Sequence, residues 1–228
     1  MTQPGDFPHR TPTRLFTDRR AAGRVLAEQL SVYRDNDDLL VLGLARGGIP
    51  VGWEVAAALR APFDVFLVRK LGVPQWTELA MGALTDGGRV AMNDSVVAEL
   101  NIGDDVVRSV IERESAELRR RERVYRGDRP AIDVQGRVVI LVDDGIATGA
   151  SMLASVRAVR SADPASIVVA VPVGPMSVCR KLAREADDVV CASMPSPFDS
   201  VGQAYLDFRQ VGDDEVTELL ATATVGGG

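Results

Sequence analysis

The chain has 228 residues, 46% of them hydrophobic and 25% charged, with a formal net charge of −6. That length holds one large α/β domain, and that composition excludes a disordered chain. The charge repels nucleic acid and anionic membranes, so any bound anion must be held locally.

Residues 1–14 carry three prolines and no hydrophobic periodicity, and read as a mobile tail. The sole histidine, His9, lies there, which leaves none in the core for a Ser-His-Asp or Cys-His system or for most catalytic metal sites. The tail has no signal-like apolar stretch, and apolar runs such as VVILV are far too short to span a bilayer, so a cytoplasmic protein that is neither exported nor embedded is expected. Cys179 and Cys191 lack CxxC spacing and predict neither a zinc site nor a disulfide framework.

Thr17 is the expected cap of a helix through about Arg34, where Ala21, Ala22, Val25, Leu26, Leu30 and Tyr33 recur at helical intervals. A βαβ crossover follows: an apolar strand over 39–44, a glycine-rich loop, a helix over 49–60 and an apolar run over 65–68. The unit recurs where residues 137–142 lead through Asp143 to Ser151 into a helix ending near Ser161 and a strand over 167–171. A helix over 176–186 and a short strand over 188–192 complete it. Strands that are continuously apolar predict a three-layer α/β fold, a mostly parallel sheet with helices on both faces.

Two segments differ. Residues 71–93, with Gly72, Pro74, Gly82, Gly87 and Gly88, read as a loop followed by a hairpin or ribbon. Residues 104–126 alternate Arg and Glu and predict one long solvated helix, whose glutamates argue against a phosphate-tracking face.

The chemistry concentrates in VVILVDDGIATGAS, residues 138–151. Asp143 and Asp144 at a strand end suit a vicinal diol or, through water, a divalent cation. Small residues and two hydroxyls then open a helix whose free N–H groups and dipole favour a phosphate. A diol binder beside a phosphate cradle is what ribose 5-phosphate requires. No Walker A loop or dinucleotide fingerprint occurs.

This motif resembles the 5-phosphoribosyl-1-pyrophosphate (PRPP) site of the type I phosphoribosyltransferases. The resemblance runs from about Phe16 to Leu220 and implies that fold, with a hood of C-terminal or inserted residues. It implies that Asp143 and Asp144 hold the ribose hydroxyls and Mg²⁺, the metal meeting them through water, while Ile146, Ala147, Thr148, Gly149, Ala150 and Ser151 wrap the 5-phosphate. The 6-oxopurine members carry aspartate at the position of Ala147, so alanine here disfavours hypoxanthine or guanine. Ala45, Arg46 and Gly47, after the first strand, match the pyrophosphate loop. Arg69 and Lys70, at the end of the next apolar run, would add charge to the same pyrophosphate, with Lys70 and Arg46 as catalytic groups. Lys70 stands out because the chain has only one other lysine, Lys181.

By the same resemblance, residues 71–81, with Trp76 and Glu78, match a mobile catalytic loop, and Phe198 or Tyr205 would stack on a flat acceptor. The implied activity is transfer of the phosphoribosyl group from PRPP to a nitrogenous acceptor, a nucleobase, with release of pyrophosphate. The alternative is a PRPP-binding regulator without turnover. The expected partners are PRPP and a small-molecule acceptor, without nucleic acid or membrane, in a monomer or homodimer.

Overall fold

The computed structural model describes residues 15–85, 88, 90–130 and 132–223; the expected tail, with His9, lies outside them. In chain order the elements are α1 (Arg19–Gln29), β1 (Leu39–Leu44), α2 (Gly48–Leu59), β2 (Phe63–Phe66), β3 (Val68–Val73), β4 (Trp76–Thr85), β5 (Val90–Met92), α3 (Asp94–Glu99) and α4 (Asp104–Arg126). There follow β6 (Val138–Val142), α5 (Ala150–Arg160), β7 (Ser166–Val173), α6 (Met176–Leu182), β8 (Asp188–Ser193) and α7 (Asp213–Ala223).

The continuously apolar strands form a five-stranded parallel sheet in the order β2-β1-β6-β7-β8. Side chains alternate across its two faces. Leu39 and Val41 of β1 join a core with α1, α2 and α7, while Leu40, Leu42 and Leu44 join one with α5 and α6. Strands buried on both faces need no polar alternation, which is why their sequences read as unbroken apolar runs.

The order places the switch point between β1 and β6. From β1 the chain crosses through α2 to β2 on one side, and from β6 it crosses through α5 to β7 on the other. The β1 and β6 ends are in register, with Gly43 beside Val142, so the glycine loop after β1 and the Asp143–Asp144 turn leave the same sheet edge side by side. None of the described helices is long and apolar enough to cross a membrane.

Several expected boundaries move. The cap of α1 is Asp18 rather than Thr17, its carboxylate accepting from the Ala21 N–H at 2.8 Å. The helix ends at Gln29, followed by a 3₁₀ turn at Ser31–Tyr33. The run 65–68 is not one strand. Parallel pairing with β1 stops at Phe66, and Val68 begins an antiparallel ribbon, β3-β4-β5, in which Lys70 faces Ala83. Residues 71–81, expected as an open loop, are therefore mostly the two strands of a hairpin turning at Pro74 and Gln75.

Helix α4 has the expected ends: Asp104 and Asp105 in its first turn, Arg123 and Arg126 in its last, and Gly127 beyond at φ +58. It is less solvated than its composition suggests. Val110, Glu114, Leu118 and Tyr125 make a buried stripe at helical spacing, packed toward the ribbon and α7. Buried Arg126 closes the helix onto β2 through an ion pair with Asp64 at 3.0 Å.

Candidate functional site

Two loops meet at the switch point. The first, residues 45–48, passes directly over the end of β6. A Cβ on Gly48 would lie 2.4 Å from the Val142 carbonyl oxygen, and one on Gly47 would lie 2.1 Å from Asp144 Oδ2. Only glycine permits that approach. The second loop begins with Asp143 and Asp144, both half-buried, and ends at Gly149, the N-cap of α5, in the left-handed conformation at φ +72.

No side chain caps α5 at Gly149, and the first-turn N–H groups of a helix have no partner within it. Ala147, Thr148 and Ser151 are exposed around that turn, while the Thr148 hydroxyl lies 3.4 Å from the Ala150 N–H. An anion can reach these groups from solvent. Ile146 is a correction: its side chain is buried against Gly174 and its N–H donates to the Val173 carbonyl at 2.9 Å, so it anchors the loop instead of offering that N–H to a phosphate.

Burial, and then the charge of Asp144, push the Asp143 carboxyl well above the usual carboxylate range. Burial also pushes Asp144 up, opposed by the Arg19 guanidinium, whose Nε donates to Asp144 Oδ2 at 2.8 Å. The Asp143 carboxylate accepts from the Asp144 N–H at 2.9 Å, which fixes the two acids relative to each other. Such a pair accepts hydroxyl protons and favours a cation nearby.

The expected cations are placed differently from one another. Arg46 lies in the glycine loop, but its Nη1 points to Asp213 Oδ1 at the start of α7, 3.5 Å away. Arg69 is a second correction. It lies on the ribbon, not at the end of a parallel strand, and donates through Nε and Nη2 to Glu114 of α4 at 2.8 and 2.6 Å, which makes it a tie between ribbon and helix. Lys70 follows it on β3, half-buried. Trp76 and Glu78 stand on β4, with Trp76 exposed.

The aromatic segment after β8 packs against the turn that carries the acids. Tyr205 is buried, its hydroxyl donating to the Asp144 carbonyl at 2.5 Å. Its ring lies between Phe16, at 5.5 Å, and Phe208, at 5.0 Å. Phe198 packs at the edge of this cluster. Neither Arg19 nor Phe208 stands in any motif, and a residue that meets its partner across so much chain leaves no local pattern; only the aromatic richness of the segment marks it.

A profile of the family described as "Phosphoribosyl transferase domain" matches residues 16–208. The chain is 43% identical over 210 residues to "Putative phosphoribosyl transferase Rv0571c" of Mycobacterium tuberculosis H37Rv, and equally so to MT0597 of strain CDC 1551. These alignments cover 92% of this chain and 47% of each relative, so the chain spans about half the length of the curated relatives it matches. Among solved structures it is similar to TT1426 from Thermus thermophilus, at 41% identity and a TM-score of 0.83, over 91% of this chain and 98% of that one.

Proposed function

The chain belongs to the phosphoribosyl transferase domain family, and from that premise we propose that it transfers the phosphoribosyl group of PRPP to a nitrogenous acceptor, a nucleobase, releasing pyrophosphate. The observation that carries this reading is the contact of the two loops, in which the Asp144 carboxylate rests on Gly47. A diol-binding acid is thereby set between an amide-rich turn for one phosphate and a glycine loop for another.

In this reading the bond from ribose C1 to diphosphate breaks as the acceptor nitrogen attacks, and the ribosyl group gains oxocarbenium character. Asp143 and Asp144 hold the ribose hydroxyls, and the amides around Thr148, Gly149, Ala150 and Ser151 hold the 5-phosphate. The loop formed by Ala45, Arg46 and Gly47 receives the leaving diphosphate, whose charge Arg46 and Lys70 offset. The protein's contribution is placement and electrostatics, and no buried histidine is needed for it.

Magnesium fits the acids present. Two adjacent carboxylates, each pushed up by burial, are relieved by a cation. An ion that keeps several waters and shares oxygens with a substrate asks for only one or two carboxylates from the protein. Held by Asp143 and Asp144 through water, Mg²⁺ would supply charge neutralisation at the diphosphate.

The test is pyrophosphate release from PRPP and Mg²⁺ with pooled purine and pyrimidine bases, beside a base-free control and Asp144→Asn. Release that depends on a base and is lost in the variant supports the transfer; release by no base overturns it.

A further inference from the structure

Asp144 is gripped from three sides, and two of the grips, by Arg19 and Tyr205, lie outside both the glycine loop and the acid and phosphate motif. Arg19 Nε donates to Oδ2 at 2.8 Å, with the two side chains 11% and 14% exposed. Tyr205 donates its hydroxyl to the Asp144 carbonyl. On the third side the carboxylate lies against Gly47.

Arg19 is itself fixed. Its Nη1 donates to the Arg209 carbonyl at 2.8 Å, and its guanidinium carbon sits 4.0 Å from the centroid of the Phe208 ring, which is stacked on Tyr205. The cause is a short pairing between the chain just before α1 and the segment after β8. The Leu206 N–H donates to the Phe16 carbonyl and the Asp207 N–H to the Thr17 carbonyl, both at 2.9 Å. That pairing sets the start of α1 and the aromatic segment side by side above β6. A planar guanidinium can serve a carboxylate, a carbonyl and a ring face together, which an ammonium group cannot.

We propose that Arg19, supported by Tyr205 and Phe208, is a positioning residue that holds the Asp144 carboxylate beside the glycine loop in the orientation that accepts a ribose hydroxyl. The proposal rests on the reading of Asp144 as a ribose-binding acid. The charge-assisted bond to Oδ2 stops the carboxylate from turning. Arg20, the next residue on α1, is a natural control. It donates to Glu54 and stacks on Trp53, away from the acids.

The test is calorimetric titration of Mg·PRPP into the wild-type chain, Arg19→Gln, Arg19→Lys, Tyr205→Phe and Arg20→Gln, with a thermal melt of each. Arg19→Gln should weaken binding by about tenfold to a hundredfold, the range typical when a group orienting a ligand-binding side chain is lost. Arg19→Lys should recover part of it, Tyr205→Phe should weaken binding less, and Arg20→Gln should match wild type. A purely structural role would lower the melting temperature and leave the affinity of the folded protein and its rescue by lysine unmoved. If Arg19→Gln does not fold, Tyr205→Phe carries the test, and wild-type affinity in that variant overturns the clamp. A folded Arg19→Gln that binds as tightly as wild type, or an Arg20→Gln that weakens binding equally, overturns the clamp and leaves the phosphoribosyl reading standing. Failure of the wild type to bind Mg·PRPP overturns that reading and the clamp together.

Discussion

Gly47 and Asp144 touch where the two loops cross, so closely that a single methyl on Gly47 would fall 2.1 Å from Asp144 Oδ2 and 2.6 Å from its carboxyl carbon. The backbone at Gly47, with φ −61 and ψ −37, suits any residue, so the demand for glycine comes from this contact alone. Gly47→Ala should therefore act through Asp144. The carboxylate is held by Arg19 and cannot swing aside without breaking that bond, so we expect a destabilisation of about 1–3 kcal/mol in a urea melt. Pyrophosphate release should fall by far more than the loss of folded protein explains. A variant with wild-type turnover would show that the loop yields and the acid does not need its place.

Asp143 offers a pH-dependent prediction. Its folded carboxyl is raised by burial and by Asp144, whereas the unfolded value is about 3.9. A raised acid contributes stability that is fully present below the unfolded value and lost as pH rises through the folded one. Raising the pH to 8 in chelator works against the wild-type protein but not against Asp143→Asn, neutral at every pH, which should unfold at higher urea there. The advantage should shrink as pH falls toward 4. Paired urea melts at the two pH values check it, and an Asn variant less stable at pH 8 would contradict the sign.

Arg46 and Asp213 form a half-exposed pair at 3.5 Å, and Tyr125 donates to the same Oδ1 at 2.5 Å. A surface pair of this kind contributes about 0–1 kcal/mol, small enough for a bound diphosphate to compete for the guanidinium. Arg46→Ala should raise KM for PRPP, while Asp213→Asn, which frees Arg46, should lower it by up to about fivefold at low salt. Steady-state kinetics on both variants decide the matter, and a rise in KM for Asp213→Asn would mean that Arg46 works where it now sits.

Asp64 and Arg126 are both nearly buried, and Asp64 also accepts from the Ile132 N–H at 3.4 Å. Arg126→Ala should cost about 3–5 kcal/mol because it strands a buried carboxylate. Replacing both by a well-packed apolar pair should recover much of that loss. Denaturant melts of the single and double variants test this, and additive losses would count against a shared pair.

Much of the sheet is legible in the sequence because strands covered on both faces must be apolar throughout, and 39–44 or 138–142 admit few other readings. Helix α4 announces both of its ends through acids, arginines and Gly127. The ribbon is not legible at its start: Phe66, Leu67 and Val68 are all apolar, so nothing in their chemistry marks the change from parallel to antiparallel pairing. Helix α7 is absent from the sequence reading although DDEVTELLATA carries an acidic first turn and the apolar spacing of Val216, Leu219 and Leu220. Within the site, Asp143, Asp144 and Gly47 are evident from local pattern. Arg19 is not, because its partners Asp144, Phe208 and Arg209 reach it only through tertiary pairing, and the tie made by Arg69 is hidden because Glu114 lies on a distant helix.

The register of β1 against β6 has a consequence for how the molecule is assembled. The glycine loop is made early in the chain and the acids late, with the ribbon and α4 between them, so neither loop has its counterpart until those two strands zip together. Such a long-range closure is the slow kind of folding event. Ligand affinity is then a stopwatch for it: a chain halted before Val138, or one whose central sheet has not yet closed, should carry helices and strands visible to spectroscopy and still be blind to PRPP.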